Sequence, residues 1–434
     1  MEQDQQEGGG GEKEGGRRSV SGPQEAPDFA SELRAEAVAR GIPLGGDSEP
    51  LAAVPYETEL LVKNAGLARF WELRKLPGRP EPFHAAPVPR GYRSTSKRRV
   101  ISRRGKNLLL LDPAADPPGH AESSALEPAH HGELFAFIAR RINDPPYRAV
   151  GESLNFVILR ESEGKAAVIL NFHTLSAGIV RGVKRMAAEF AESRLPILSL
   201  FMFHDPSRSQ YYMEANLPEE AREIRRMYGP RHLLLRVGGY SFLFDPTVFS
   251  QVNPLILPDL LSTLASAFPR PDAARIVDLY CGYGLMGIAL SGAAREVCGI
   301  EANGEAVRNA VENAERLGGP CRFRFRRGAV TPDTLEKLLP QGGGTEGGEV
   351  VILDPPRGGT GRGVIAAAAA RKPVLAIHVF CNADLIEKEL PLWGKNGYGV
   401  DRVAPFDMFP GTPNAEIVIF LSPRERGSVG GNLQ

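Results

Sequence analysis

The strongest constraint on this chain lies in its second half, where short apolar runs alternate with helix-like stretches. LPDLLSTLASAF (257–268) has its apolar residues at helical spacing. RIVDLYCGYG (275–284) is an apolar strand run that ends in a glycine-rich turn, and EVCGIEAN (296–303) is a second such run. GEAVRNAVENAERLG (304–318) is an amphipathic helix that stops at glycine. EVVILDPPRGG (349–359) and KPVLAIHVFCNAD (372–384) repeat the strand-then-loop pattern. Strands that alternate with helices pair in parallel, because each helix returns the chain to the edge it left. The expected fold is therefore α/β, with a doubly wound sheet. Such sheets bind ligands at the carboxyl ends of their strands, and the residues suited to chemistry sit at those ends.

The remainder of the chain sets the domain plan. With 434 residues, two or three domains are expected. Residues 1–47 are rich in Gly, Glu, Gln and Ser and predict a disordered tail. Residues 48–250 predict an α+β domain. PYETELLVKNAGLARFWEL (55–73) reads as a helix, LNFVILRESEGKAAVILNFHT (154–174) as two strands joined by a polar turn, and HLLLRVGGYSFLFDPTVFSQVN (232–253) as β-rich with a Gly-Gly turn. The doubly wound domain occupies 251–423, interrupted by a glycine-rich loop at PQGGGTEGGE (340–349), and a second disordered tail occupies 424–434.

Composition excludes several classes. Four cysteines cannot build a disulfide framework, and none is in a C-x-x-C pair, so neither a structural zinc nor an iron–sulfur site is expected from them. A reducing compartment is the default. No apolar run reaches the ~20 residues that span a bilayer, so no membrane partner is expected. The first residues, MEQDQQEGGGGEKEGG, read neither as a signal peptide nor as an Arg-rich transit peptide. Cytoplasm is the default location, with organelle and nucleus left open. Lys plus Arg equals Asp plus Glu at 52 each. That balance argues against a uniformly basic surface but says nothing of local patches.

Gly282, Gly284 and Gly287 form a G-x-G-x-x-G between a strand and a helix, and Glu301 lies about 20 residues on at the end of the next strand. The glycines let a nucleoside cofactor approach the backbone, and the acid is placed for ribose hydroxyls. The motif serves NAD and S-adenosylmethionine (SAM) equally. Asp354-Pro355-Pro356 comes after another apolar strand, and its two prolines stiffen the loop that presents the aspartate.

Cys381 ends the strand VLAIHVF, next to a helix start that favours a thiolate. Cys281, Cys298 and Cys321 read as core residues. Glu416 enters an apolar strand, EIVIFL, where burial would raise its pKa. A thiolate and a carboxylate base beside a cofactor site suit one demanding reaction. Carbon 5 of uracil is too weak a nucleophile to take a methyl group. Addition of a thiolate to carbon 6 activates it, and a base then removes the carbon 5 proton so that the thiolate can leave.

At these residues the C-terminal region resembles the RNA uracil-C5 methyltransferases, which make 5-methyluridine in tRNA and rRNA. The matching stretches are FSQVN (249–253), VDLYCGYG (277–284), GIEANGEAVRNAVENA (299–314), LDPPRGG (353–359), VFCNADLIEKEL (379–390) and GYGVDRVAPFDMFPGTPNAEIVIFL (397–421). Weaker likeness extends to PYETELLVK (55–63) and PRGYRSTSKRR (89–99). The resemblance implies a Rossmann-like SAM-dependent methyltransferase domain behind an RNA-binding domain. It implies Gln251 and Tyr280 as SAM contacts, Glu301 as the ribose acid and Asp354 as the aspartate between cofactor and base. Cys381 is implied as the nucleophile and Glu416 as the proton acceptor. The chain departs from the family at Phe380 and Ala383, where S-C-N-P is usual, at Asn414, where His is usual, and at Leu285, often a polar SAM contact. Many relatives bind an iron–sulfur cluster through four N-terminal cysteines. No cysteine precedes Cys281, so no cluster is expected.

Arg90, Arg93, Lys97, Arg98, Arg99, Arg103, Arg104 and Lys106 lie within 90–106 with no intervening acid. Tyr92, Arg93, Lys97, Arg98 and Arg99 are the expected RNA contacts, the lysines and arginines for phosphates and Tyr92 for base stacking. The expected enzyme is a monomer that methylates a splayed or flipped uridine. Two alternatives stand beside it. One is a NAD-dependent oxidoreductase, which gives Cys381 and Glu416 no role. The other is a non-catalytic RNA-binding protein on the same fold.

Overall fold

The computed structural model describes residues 28–46, 48–111, 124–208, 224–268, 273–342 and 348–424. Two large sheets dominate these residues. The first runs β1 (Thr95–Arg103), β2 (Lys106–Leu110), β3 (Leu154–Ser162), β4 (Lys165–Phe172), β5 (Ile197–His204) and β6 (Ile224–Tyr228) in the spatial order β2-β1-β3-β4-β5-β6. All of its pairs are antiparallel except β4 with β5, which are joined by helix α5 (Ala177–Glu192). β3 and β4 are buried along almost their whole length. That explains why they read as continuous apolar runs rather than alternating ones. One face packs Val157, Leu159, Val168 and Leu170 against α3 (Ala129–Arg141), α4 (Arg148–Glu152) and α5. The other face packs Phe156, Ile158 and Ile169 into a core shared with the second sheet.

A hairpin, β7 (Leu233–Val237) and β8 (Tyr240–Phe244), turns at Gly238 and Gly239 as its sequence predicts. It sits between the sheets, with Phe242 and Phe244 in the shared core.

The second sheet is the doubly wound one. Its strands are β9 (Ala273–Leu279), β10 (Ala294–Glu301), β11 (Arg322–Arg327), β12 (Glu349–Leu353), β13 (Leu375–Phe380), β14 (Tyr398–Phe406) and β15 (Glu416–Pro423), in the order β11-β10-β9-β12-β13-β15-β14. β15 is antiparallel to both neighbours and the other pairs are parallel. Chain order reverses between β9 and β12, and that switch point opens a crevice at their carboxyl ends. The helices of this domain are α6 (Leu257–Ser266), α7 (Leu285–Ala289), α8 (Gly304–Leu317), α9 (Pro332–Leu338), α10 (Val364–Ala370) and α11 (Ile386–Lys395). The α/β expectation and the motif placements hold.

Two boundaries are corrected. Residues 28–46 do not belong to a disordered tail, because α1 (Phe29–Ala39) forms there. Asp28 caps it by accepting from the Ser31 amide, and Phe29, Leu33 and Ala37 bury one stripe. That stripe meets α2 (Tyr56–Leu73) at Gly66, where an added Cβ would lie 3.0 Å from the Leu33 Cα. Composition averaged over 1–47 hid this stripe. Residues 1–27 and most of the C-terminal tail lie outside the described residues, as do 343–347 of the glycine-rich loop.

The second correction is that 48–250 is not one unit. α1 and α2 pack into the core of the doubly wound sheet, beside Ala376, Ile417 and Ile419. The reason is a buried ion network. Lys63 of α2 donates to Asp407 Oδ1 at 2.6 Å and to the Phe409 carbonyl, and pairs with Glu59 at 3.0 Å. Glu59 also accepts from the Gly411 amide. α2 therefore anchors the segment that leads into Glu416. Among the described residues, no helix is long and apolar enough to cross a membrane.

Candidate active site

The crevice is built from the turn that leaves β9. Tyr280, Gly282 and Gly284 all have positive φ there, at 65°, 54° and 86°. Gly284 opens α7, and an added Cβ would meet the Ile288 Cδ1 at 2.7 Å. Gly287 presents its amide to Asp278 Oδ2 at 2.9 Å, and a Cβ at that position would stand 2.8 Å from the same oxygen. The turn thus folds back on a buried carboxylate at the end of its own strand.

Glu301 ends β10 and braces the turn. Its Oε2 accepts from the Gly282 amide at 3.2 Å and its Oε1 from the Asn303 amide at 2.7 Å. Asp354 lies at the end of β12, and Gln251 Nε2 donates to its Oδ2 at 3.3 Å. Gln251, Asp278, Tyr280, Gly282, Tyr283 and Asp354 line one open cleft with Phe249 at its mouth. Six of the expected site residues are therefore brought together: Gln251, Tyr280, Gly282, Gly284, Glu301 and Asp354.

The electrostatics of this cleft are decisive for what it can hold. Burial, reinforced by Asp354 and Glu301, pushes Asp278 up to about 7. Burial and the Glu301 charge do the same to Asp354, also to about 7. Three carboxylates crowd one cleft, and a cationic ligand would relieve them. A pyrophosphate would not. The helix-start amide that would bind it, on Gly287, is already taken by Asp278, and α7 is only five residues long. The carboxylates of this cleft suit a nucleoside with a cationic tail.

Cys381 comes directly after the last residue of β13, half-buried, with its Sγ 4.0 Å from the Pro355 carbonyl. β13 and β15 pair with Phe380 opposite Ile417. The same register sets Cys381 opposite Glu416, and the thiol feels the charges of both Glu416 and Asp354. Glu416 is 1% exposed, and its Oε2 has no hydrogen-bond partner. Burial, with Asp354 adding to it and Arg357 opposing, holds its pKa well above the carboxylate range. The thiolate expectation is corrected. Burial first, then Glu416 and Asp354, push the Cys381 thiol up to about 12. Cys381 leads into a 3₁₀ turn (Ala383–Leu385) that is capped by the Asn382 side chain and runs on into α11, and burial with two carboxylates outweighs that helix start.

The departures are accommodated locally. Phe380 is buried and stacks on His378 at 3.9 Å between ring centroids. Ala383 is buried, and Asn414 Nδ2 donates to Thr412 Oγ1 at 3.2 Å.

The basic segment divides along the pleat of β1. Tyr92 is buried, with its hydroxyl donating to the Pro410 carbonyl, so it offers no stacking face. Arg98 is buried and bidentate on Glu127, at 2.8 and 2.6 Å, over the Phe135 ring. It is unavailable to phosphates. For Arg98 the expectation fails because the period of two in a strand turns alternate residues inward. For Tyr92, just before the strand, it fails because the ring packs beneath the 410 turn. Arg99, Arg103, Arg104 and Lys106 are exposed, and Arg93 and Lys97 are half-exposed.

Sequence reasoning missed the supports of Gln251. Arg160 of β3 is buried and donates to the carbonyls of Pro246 and Val248 and to Ser250 Oγ, at 2.7, 2.9 and 2.6 Å. Ser94 Oγ donates to the Gln251 carbonyl at 3.1 Å. An arginine inside the apolar run LNFVILR was the available signal.

No family model matches the chain. It is 30% identical over 251 residues to an uncharacterized RNA methyltransferase of Nostoc sp., covering 58% of this chain and 51% of that one. It is 28% identical over 299 residues to the 23S rRNA (uracil(747)-C(5))-methyltransferase RlmC of Yersinia pestis, covering 67% and 73%. The chain spans about half the length of the curated relatives it matches first. Among solved structures it matches the tRNA (uracil-54, C5)-methyltransferase of Pyrococcus abyssi, solved with S-adenosyl-L-homocysteine. The TM-score is 0.62 and the identity 20%, over 86% of this chain and 85% of that one. The fold is a Rossmann-like methyltransferase fold. The resemblance read from the motifs agrees with the names of these relatives.

Proposed function

We propose that this chain is a SAM-dependent RNA methyltransferase that acts on carbon 5 of a uridine. The observation that carries the reading is Cys381 set opposite Glu416 on the rim that also bears Asp354 and the carboxylate-lined cleft. Gln251, Tyr280, Gly282, Glu301 and Asp354 would hold SAM, which supplies an electrophilic methyl group. The cation of that cofactor suits the three carboxylates, which is what favours it over NAD.

The uridine enters with carbon 6 toward Cys381. The Cys381 sulfur bonds to carbon 6, and the electron pair of the carbon 5–carbon 6 double bond moves toward the carbon 4 carbonyl. Carbon 5 then takes the methyl group. Glu416 accepts the carbon 5 proton, the double bond re-forms and the sulfur leaves. Glu416 suits this step, because a buried carboxylate with an unpartnered oxygen is a strong base when ionised. The raised thiol pKa means that Cys381 gives its proton up to solvent water as the substrate docks and takes one back when the sulfur leaves, while Glu416 releases the carbon 5 proton to water after each turnover. Asn382 holds the loop at Cys381 through the Arg357 carbonyl, at 3.4 Å.

RNA would approach along Arg93, Lys97, Arg99, Arg103, Arg104 and Lys106. A nucleophilic thiol and four free cysteines suit a reducing compartment, and cytoplasm is the reading we adopt. The constellation lies within one chain, which suits a monomer. The test is methyl transfer to unmodified tRNA and rRNA transcripts, with 5-fluorouridine RNA as a trap. Wild type should methylate and form the covalent adduct, and Cys381→Ala should do neither. SAM and RNA binding without any transfer would overturn the catalytic reading.

A further inference from the structure

Away from the methyltransferase rim, the six-stranded sheet carries a second cluster. His130 and His131 lie in the first turn of α3, and Glu161 lies near the end of β3. One ligand atom from each falls within 4.8 Å of the others. The Nε2 atoms of His130 and His131 stand 2.7 and 3.4 Å from the same oxygen, Glu161 Oε2.

His131 is completely buried, and its Nε2 has no hydrogen-bond partner. Its proton can be placed from its neighbours. His131 Nδ1 is 2.8 Å from Ser96 Oγ. The Ser96 hydroxyl also hydrogen-bonds the Glu127 carboxylate, which Arg98 holds with two bonds. A hydroxyl has one proton, and a carboxylate can only accept. Ser96 therefore donates to Glu127 and accepts from Nδ1–H of His131. With Nδ1 engaged in this way, His131 Nε2 is the ring atom aimed at Glu161 Oε2 inside the protein. A ring nitrogen and a carboxylate oxygen converging there, with His130 Nε2 beside them, present three donor atoms to one point where a cation can sit.

We propose that His130, His131 and Glu161 bind a Zn²⁺ ion. Two imidazoles and a carboxylate are a zinc donor set, whereas Mg²⁺ and Ca²⁺ take oxygen ligands. The Glu127–Ser96–His131 chain is the outer shell such a site requires, since it fixes the ring and leaves Nε2 free to ligate. Bonds of 2.0–2.1 Å put the donors of a tetrahedral ion roughly 3.3 Å apart. The His131 spacing already meets that, and the His130 spacing opens by about half an ångström. His130 and Glu161 are each about one-fifth exposed, which leaves the fourth position to water.

The ion would pin α3 to the β3–β4 turn. Glu161 also accepts from the Gly164 amide through Oε1, at 2.6 Å. Residues of this turn line a cleft together with Gln251 and Leu235, so the ion stiffens the wall next to the cofactor cleft.

The test uses the untagged full chain, stripped with chelator and titrated with Zn²⁺ against a chromophoric competitor, then with Co²⁺ for its visible absorption. One ion per chain is expected, with affinity reduced by more than about a hundredfold in His131→Gln and in Glu161→Gln. Ser96→Ala should cost about tenfold. Cys381→Ala should bind normally, since no thiol takes part. Circular dichroism checks each fold, and Glu161→Gln is the isosteric safeguard should His131→Gln unfold. Absence of Zn²⁺ binding to wild type, or a Co²⁺ spectrum unchanged by Glu161→Gln, would overturn the proposal. So would NMR showing His131 protonated on both nitrogens in zinc-saturated protein.

Discussion

Cys381 and Glu416 face each other across the ends of two antiparallel strands, set there by the pairing of Phe380 with Ile417. Neighbouring β-strands lie about 5 Å apart, so under the proposed reaction a base held beside these residues would reach both. The sulfur would add to one carbon of the base, and the carboxylate would take a proton from the next. The unpartnered Glu416 Oε2 is the open acceptor that this geometry leaves.

Under the proposed reaction, Glu416→Gln should stop the cycle after methyl transfer. The sulfur could still add, but the carbon 5 proton would have no acceptor. Turnover should fall by about 10²–10⁴, while a covalent protein–RNA complex accumulates on denaturing gels. Loss of activity with no trapped complex would count against Glu416 as the base.

Asp278 and Asp354 give a pH signature. Their folded values, about 7, lie above the ordinary aspartate value of 3.8. An acid raised on folding contributes stability that is full at pH values below about 4 and is lost as pH rises toward 7. The stability of wild type relative to Asp278→Asn should therefore fall between about pH 4 and 7, by at most ~1.4 kcal/mol per pH unit, and then level off. Urea midpoints at pH 5 and 8 measure it. Binding of SAM should tighten over the same interval, as the carboxylates ionise around its cation.

Arg160 should govern Gln251 without touching it. Arg160→Met removes the donor that three acceptors of the 246–250 segment share. The expected cost is about 2–4 kcal/mol of stability. In the fraction that remains folded, affinity for S-adenosyl-L-homocysteine should drop at least about tenfold by calorimetry, since each 1.4 kcal/mol is a factor of ten. Unchanged affinity in folded Arg160→Met would show that Gln251 is held by other contacts.

Neighbouring arginines should behave differently. Arg98→Ala removes one partner of a buried pair and should cost about 3–5 kcal/mol. The triple variant Arg99→Ala, Arg103→Ala, Arg104→Ala should fold normally. If this face meets RNA, the variant binds more weakly and its salt slope is shallower by up to about 3. Filter binding across a salt series reads both numbers.

The sequence alone determined the doubly wound sheet, the glycine turn and the order of Glu301, Asp354, Cys381 and Glu416 along the strand ends. Those features depend on local signals: an apolar run, a positive-φ glycine, a polar residue where a strand stops. The tertiary structure decided what depends on partners distant in the chain. Phe29, Leu33 and Ala37 make a helix worth forming only because Gly66 lets it close on α2. Arg98 and Arg99 are adjacent in sequence, yet the pleat of β1 buries one on Glu127 and exposes the other. The thiol of Cys381 is pushed up by Glu416 and Asp354, groups 35 and 27 positions away that only the sheet brings near. Strand periodicity can be read from a run of letters. Which long-range carboxylate or glycine meets it cannot, because that is a property of packing.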